Sequence, residues 1–203
     1  MTFNRQIQRT KQSSSPNSEP KKTPTIRQRN SNDPLSEQEV ELLLSKIDKL
    51  QDHTLLLFGF SSGVRVSEVM FDHTAINQAE GYVVIWDAKK HVPRKIYLPD
   101  SVITALLRHW NETDKRSPKL FNISTKTAER IIQYWTSKVL NKRKSWHCVR
   151  HTYITLSAMK YIPISIVIAN TGDRPSTILQ YYTQLSPLFI REEVNKKLLY
   201  KTT

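Results

Sequence analysis

His147 and Arg150 stand three positions apart in the run His147-Cys148-Val149-Arg150-His151, so on a helix both side chains leave from one side. An arginine presents a rigid fork that matches two phosphate oxygens, and a nearby histidine transfers protons near neutral pH. A second arginine, Arg65, lies in Ser62-Gly63-Val64-Arg65-Val66-Ser67-Glu68-Val69, after a glycine that allows a tight turn and among apolar valines. A charge set in an apolar pattern needs a partner, because burying it unpaired is costly. Glu68, three residues on, supplies one, either as a structural ion pair or as the group that aims Arg65 at a phosphate. The third segment runs from Gly172 and Asp173 to the adjacent tyrosines Tyr181 and Tyr182. Taken singly, each segment is unspecific: a surface His–Arg pair and a half-buried terminal tyrosine are both ordinary features.

The elements that must position these residues can be read from periodicity. Ser36 followed by Glu39 is a capping box, and Val40, Leu43, Leu44 and Ile47 then recur at helical spacing. Thr54–Phe60 reads as a buried helix ending near Gly63, and Arg65–Met70 as a short helix. Tyr82–Trp86 and Lys95–Leu98 are rich in β-branched and aromatic residues, and the polar stretch Asp87–Arg94 between them predicts a hairpin with a long turn. Asp100 and Ser124 are placed to cap two further helices, the first through Trp110 and the second through Val139. Helical segments are expected over Cys148–Met159, Pro163–Asn170 and Pro175–Tyr182, and a last helix over 187–200 opens on Pro187. The order is helices, a small antiparallel sheet, then helices: a mainly α fold with a minor β element, α+β in class.

Residues 1–33 differ from the rest. They carry seven basic residues against Glu19 and Asp33, with few apolar ones, and predict a disordered basic arm, either following DNA phosphates or simply solvated. Folded sequence begins at Pro34, which gives one domain over 34–203. The whole chain holds 31 Lys+Arg against 18 Asp+Glu, a formal charge of +13. Such an excess attracts a polyanion through counterion release. Ten basic residues fall between 115 and 150 against Glu129 alone, a run that feeds into the His–Arg box and reads as a backbone-contacting surface. The single cysteine, Cys148, excludes an internal disulfide and a cysteine-rich zinc site. No apolar run reaches the ~18 residues of a membrane span, and the start is polar and basic rather than a signal peptide, so a soluble intracellular protein is expected.

Together the boxes resemble the tyrosine recombinase family, which includes phage integrases and Xer-type recombinases. Gly63-Val64-Arg65-Val66-Ser67-Glu68 is similar to the family's first arginine box, and His147–His151 to its His-x-x-Arg-His box. Asp173 lies 23 positions after Arg150 and Tyr182 nine after Asp173; both spacings resemble those of Xer-type enzymes, as does Tyr182-Thr183. The resemblance covers the chain from about Pro34 onward.

It implies a site-specific recombinase or integrase that cuts and rejoins double-stranded DNA through a 3′-phosphotyrosine, needing no cofactor and no metal. Arg65 and Arg150 would clamp the scissile phosphate, and Tyr182 would attack it; the spacing favours Tyr182 over Tyr181. A hairpin lysine would protonate the leaving 5′ oxygen. Lys89 and Lys90 are both candidates, and counting back from the second strand favours Lys90. His147 would act as general acid/base or as a donor to the phosphate. Asp173 stands where the family carries a His or Trp donor, and an ionised carboxylate there either turns to an arginine or weakens catalysis; Arg174 is a substitute donor. The resemblance further implies a homo-oligomer on DNA, a synaptic tetramer, acting in the cytoplasm at the nucleoid or in a host cell. The helix over 187–200 docks either on its own domain or on a neighbouring protomer. The front end lacks the helical DNA-clamping domain of most relatives, so weak or partner-dependent DNA binding is expected. The alternative is a DNA-binding accessory factor or regulator that kept the fold and lost catalysis.

Overall fold

The computed structural model describes residues 31–87, 91–113 and 117–183, together with 191, 194, 195 and 197. The expected basic arm therefore falls almost entirely outside the described residues, as do Lys89, Lys90 and most of the predicted helix over 187–200.

Among the described residues the chain forms seven helices and one three-stranded antiparallel sheet, the mainly α class with a small sheet that the sequence predicts. Helix α1 (Glu37–Ser45) opens on the predicted capping box, with the Ser36 hydroxyl accepting from the Glu39 amide and the Glu39 carboxylate from the Ser36 amide. Helix α2 (Leu50–Ser62) is buried on most sides, as its nearly unbroken apolar sequence requires, and packs against α3 (Asp100–Glu112) and α5 (Trp146–Met159). It stops at Gly63, whose φ of +64° closes the helix in the left-handed conformation that glycine accepts without strain. Helix α4 (Thr125–Leu140) is capped by Ser124 and ends on Asn141, also left-handed. Helices α6 (Ile164–Thr171) and α7 (Pro175–Thr183) follow. No helix among the described residues is long and apolar enough to cross a membrane.

The sheet orders β1 (Ile76–Asn77), β2 (Tyr82–Asp87) and β3 (Val92–Tyr97) side by side. Cross-strand pairs are Val83 with Ile96, Ile85 with Arg94 and Asp87 with Val92. Paired residues share a face, so Val83, Ile85 and Asp87 point inward with Ile96 and Arg94. Three details depart from the sequence expectations. The Arg65–Met70 helix is only a 3₁₀ turn, Val66–Glu68. Asp100 is the first residue of α3 rather than its cap; Pro99 holds the cap position without a side-chain bond. The second strand begins at Val92, earlier than its composition implied.

One core runs from Leu35 on the α1 side through Leu55, Phe58, Ile85, Leu106, Phe121 and Trp135 to Val149. A smaller cluster of Tyr153, Ile154, Val167 and Ile178 joins α5, α6 and α7. Two tryptophans fix the frame around the first arginine. Trp146 donates its indole N–H to the Val64 carbonyl at 2.9 Å and lies so close to α2 that a Cβ on Gly59 would meet its ring at 2.9 Å. Trp135 donates to the buried carboxylate of Asp52 at 2.8 Å. The loop carrying Arg65 is thereby pinned to the start of the helix carrying Arg150.

Candidate active site

Arg150 lies one turn into α5 and is almost fully buried. Its Nη1 donates to the Gly63 carbonyl at 2.5 Å and its Nη2 to the Thr171 carbonyl at 2.8 Å. Those carbonyls lie at the C-terminal ends of α2 and α6, each closed by a left-handed glycine, Gly63 and Gly172. Helix C-termini carry partial negative charge, which offsets the cost of burying a cation. Burial pushes the Arg150 guanidinium down from its ordinary value, while the Asp173 carboxylate acts against that shift. It stays charged, because arginine has no accessible neutral form in a protein.

Asp173 joins the two arginines. One of its oxygens takes Arg65 Nη2 at 2.9 Å, and the other takes Arg150 Nη2 at 2.6 Å and Nε at 3.2 Å. Arg65 is held from behind by Glu68, which accepts from Nη1 at 3.1 Å and from the Arg65 amide at 2.7 Å. The ion-pair reading of Glu68 is therefore met, and the same contacts fix where the Arg65 guanidinium points. Two charged residues that the sequence analysis did not single out complete the cluster. Arg94 on β3 sets its fork on both oxygens of Glu68, at 2.8 and 2.7 Å, and Asp87 at the end of β2 lies 3.3 Å from Arg94 Nη1 and 3.9 Å from Arg65 Nη1. A signal for them did exist. The alternation Val83, Ile85, Asp87 and the step from Arg94 to Ile96 put a charge on the inward face of each strand, and opposite charges on a buried face pair.

His147 is exposed at the start of α5, its ring 4.1 Å from that of His151. His151 faces the Asn32 carbonyl with Nδ1 at 3.1 Å, which assigns the proton to Nδ1 and leaves Nε2 as acceptor. The Tyr181 hydroxyl is 2.6 Å from that Nε2. Burial lowers the His151 pKa, with His147 adding to the effect, and burial followed by the Asp173 charge raises that of Tyr181. Tyr182 points elsewhere: its hydroxyl donates to the Ile162 carbonyl in the α5–α6 turn at 2.7 Å. Its pKa is raised by burial and then by Tyr153. Thus Arg65, Arg150 and Asp173 come together, His147 lies beside His151 on the same helix as Arg150, and Tyr182 shares the α6–α7 region while its hydroxyl is turned to another partner. The hairpin tip with Lys90 lies outside the described residues. No group of three or more potential metal ligands occurs among them.

The overall topology has clear counterparts. In the XerA recombinase crystal structure it is matched with a TM-score of 0.71 at 22% identity, over 82% of this chain and 65% of the other. The catalytic domain of bacteriophage HP1 integrase is covered over 98% of its length, with a TM-score of 0.57 and 15% identity. The fold is that of a tyrosine recombinase catalytic domain. In sequence, the tyrosine recombinase XerA of Pyrococcus furiosus is 26% identical over 174 residues, 80% of this chain and 60% of the relative. Its counterpart in Pyrococcus horikoshii is 26% identical over 179 residues, 83% of this chain and 62% of the relative. The chain thus spans about three fifths of the curated recombinases it matches. No protein-family model matches it.

Proposed function

We propose that this chain is a site-specific tyrosine recombinase of the integrase type, acting on double-stranded DNA in integration, excision or inversion. The observation that carries the proposal is the convergence of Arg65 and Arg150 on opposite oxygens of one carboxylate. A carboxylate with its two oxygens shared between two guanidinium groups stands in for the non-bridging oxygens of a phosphodiester. With the phosphate in that place, the two arginines stabilise the charge that grows on those oxygens in the transition state.

In the proposed reaction the Tyr182 oxygen bonds to phosphorus as the bond to the 5′ oxygen breaks. The phenolic proton passes to solvent water, and the leaving oxygen takes one from the hairpin lysine, Lys90 or its neighbour Lys89. Religation runs the same steps backwards, so no external energy source is required. His147 serves as donor or general acid/base at the phosphate edge. For Tyr182 to attack, α7 must turn so that its hydroxyl leaves Ile162 for the clamp. There the cations favour the phenolate, reversing the upward pKa shift of its present position. The DNA-bound XerH recombinase, similar in fold with a TM-score of 0.67 at 18% identity, supports duplex DNA as the substrate. The basic residues between 115 and 150 would contact its backbone, and assembly on DNA as a tetramer fits the strand exchange required.

The test is a pool of randomised duplexes nicked beside each candidate scissile phosphate. A covalent protein–DNA adduct is expected on a denaturing gel, absent in Tyr182→Phe and present in Tyr181→Phe. Arg150→Gln should lower its yield by roughly a hundredfold or more. Salt-sensitive binding without any adduct would instead make the chain a DNA-binding regulator that does not cleave.

A further inference from the structure

We propose that Arg94 is a positioning residue for the phosphate clamp: it occupies both oxygens of Glu68, so that Glu68 orients Arg65 without neutralising it. This rests on the clamp being an oxyanion site, as proposed above.

The geometry separates two duties within the cluster. Arg65 uses Nη1 on Glu68 and turns Nη2 towards the clamp. Arg94 never reaches the clamp. Its two terminal nitrogens lie on Glu68 at 2.8 and 2.7 Å, its Nε donates to the Asn170 carbonyl at 3.3 Å, and Nη1 also faces Asp87 at 3.3 Å. Its side chain is 11% exposed, against 30% for Arg65. Glu68 and Asp87, with side chains 3% and 2% exposed, are two carboxylates buried behind Arg65. Facing Arg65 alone, Glu68 would cancel its charge. Arg94 sets an equal and opposite charge on both Glu68 oxygens, so that Glu68 holds Arg65 in place while an incoming phosphate still meets the Arg65 cation beside that of Arg150. The requirement is for arginine, since a lysine ammonium supplies the charge but cannot span two carboxylate oxygens and a carbonyl at once. Gly172 completes the fit: its missing Cβ would stand 2.9 Å from Asp87 Oδ2 and 3.2 Å from Arg94 Cζ. The loop carrying Asp173 can therefore lie directly on the cluster.

The inference is tested with inorganic phosphate as probe, following the side-chain Nε–H resonances of Arg65 and Arg150 by NMR. The full chain is used, both wild type and with Asp173→Asn to open the clamp. Arg94→Met should weaken phosphate binding by about ten- to a hundredfold, by analogy with the loss of a residue that orients a metal's ligand, and Arg94→Lys by less. Arg94→Met combined with Glu68→Gln removes one charge of each sign and should recover much of the affinity; a purely structural role is set apart by Arg94→Met itself, which would then keep the parent's phosphate affinity wherever its thermal midpoint shows it folded. Equal phosphate binding by Arg94→Met and the parent overturns the inference. So does a double variant no better than Arg94→Met, or the absence of saturable binding even with Asp173→Asn. Circular dichroism and the thermal midpoint check folding; if Arg94→Met does not fold, Arg94→Lys and the double variant decide. If phosphate binding follows Arg94 as expected while no nicked duplex yields an adduct, the recombinase proposal fails and this one stands.

Discussion

At the scale of single residues, the most consequential side chain is Asp173. Its departure from the family pattern is visible in the sequence, but its position between both arginines is not, since their approach depends on the meeting of α2, α5 and α6. In the proposed clamp, the Asp173 carboxylate competes with phosphate for the same donors. Asp173→Asn keeps the shape and removes the charge, and should raise the single-turnover rate of cleavage of a nicked duplex by roughly tenfold, with Asp173→His gaining as much or more by offering a donor. Stability should move the other way. Asp173→Asn leaves Arg65 and Arg150 facing each other with less compensation, a loss of about 1–3 kcal/mol for a side chain that is 19% exposed. Urea unfolding measures the second effect and adduct formation the first. A slower Asp173→Asn enzyme would mean that the carboxylate takes part in the reaction instead of blocking it.

At the scale of elements, most helices are legible because each buries one apolar stripe that is written in the residues, whereas α2, buried on most sides, shows as a nearly unbroken apolar run instead. The sheet was less legible. β3 opens Val92-Pro93-Arg94, where the proline and the charge resemble a turn, and only Ile96 along it is fully buried. By sequence alone Arg94 therefore reads as the last residue of the connector Asp87–Arg94. β1, two residues long, carries too little sequence to show a period. The junctions carry the most functional weight, Gly63 above all. It ends α2 at φ +64°, offers its carbonyl to Arg150, and lies against Tyr153, whose ring would stand 2.3 Å from an added Cβ. The hydroxyl of Tyr153 accepts from Asn170 Nδ2 at 2.9 Å, and Asn170 also bonds the Tyr97 backbone at 3.0 Å through both ends of its amide. A push at Gly63 therefore reaches α6 and β3. Gly63→Ala combines left-handed strain with overpacking and should cost about 2–4 kcal/mol in urea unfolding. It should also weaken phosphate binding at the clamp. A cost below about 0.5 kcal/mol, the ordinary range of surface substitutions, would show that the junction is not held as tightly as the distances imply.

At the scale of the whole molecule, charge and burial combine into a dependence on pH. Three histidines have pKa values lowered by burial: His53, His109 and His151. His109 is the clearest, 1% exposed, with Nε2 donating to the Leu120 carbonyl at 3.1 Å and the ring stacked on Phe121 at 5.0 Å. Its Nδ1 has no hydrogen-bond partner, so a second proton there would be buried and unsatisfied. A histidine whose folded pKa lies below its unfolded value of 6.5 binds fewer protons when folded. Its contribution to stability is complete above that value and is lost as pH falls through the depressed folded one. The chain already carries a formal charge of +13, so each added proton also increases self-repulsion, most at low ionic strength. Unfolding free energy should therefore decline as pH drops below about 6.5, with His109 contributing a slope of at most about 1.4 kcal/mol per pH unit. His109→Gln keeps a donor towards Leu120 and cannot titrate. Its stability should fall less steeply with acid than that of the wild type, so the two curves converge as pH decreases. Parallel curves from pH 8 to 5 would mean that His109 already takes its second proton in the folded protein, and that the acid sensitivity arises elsewhere.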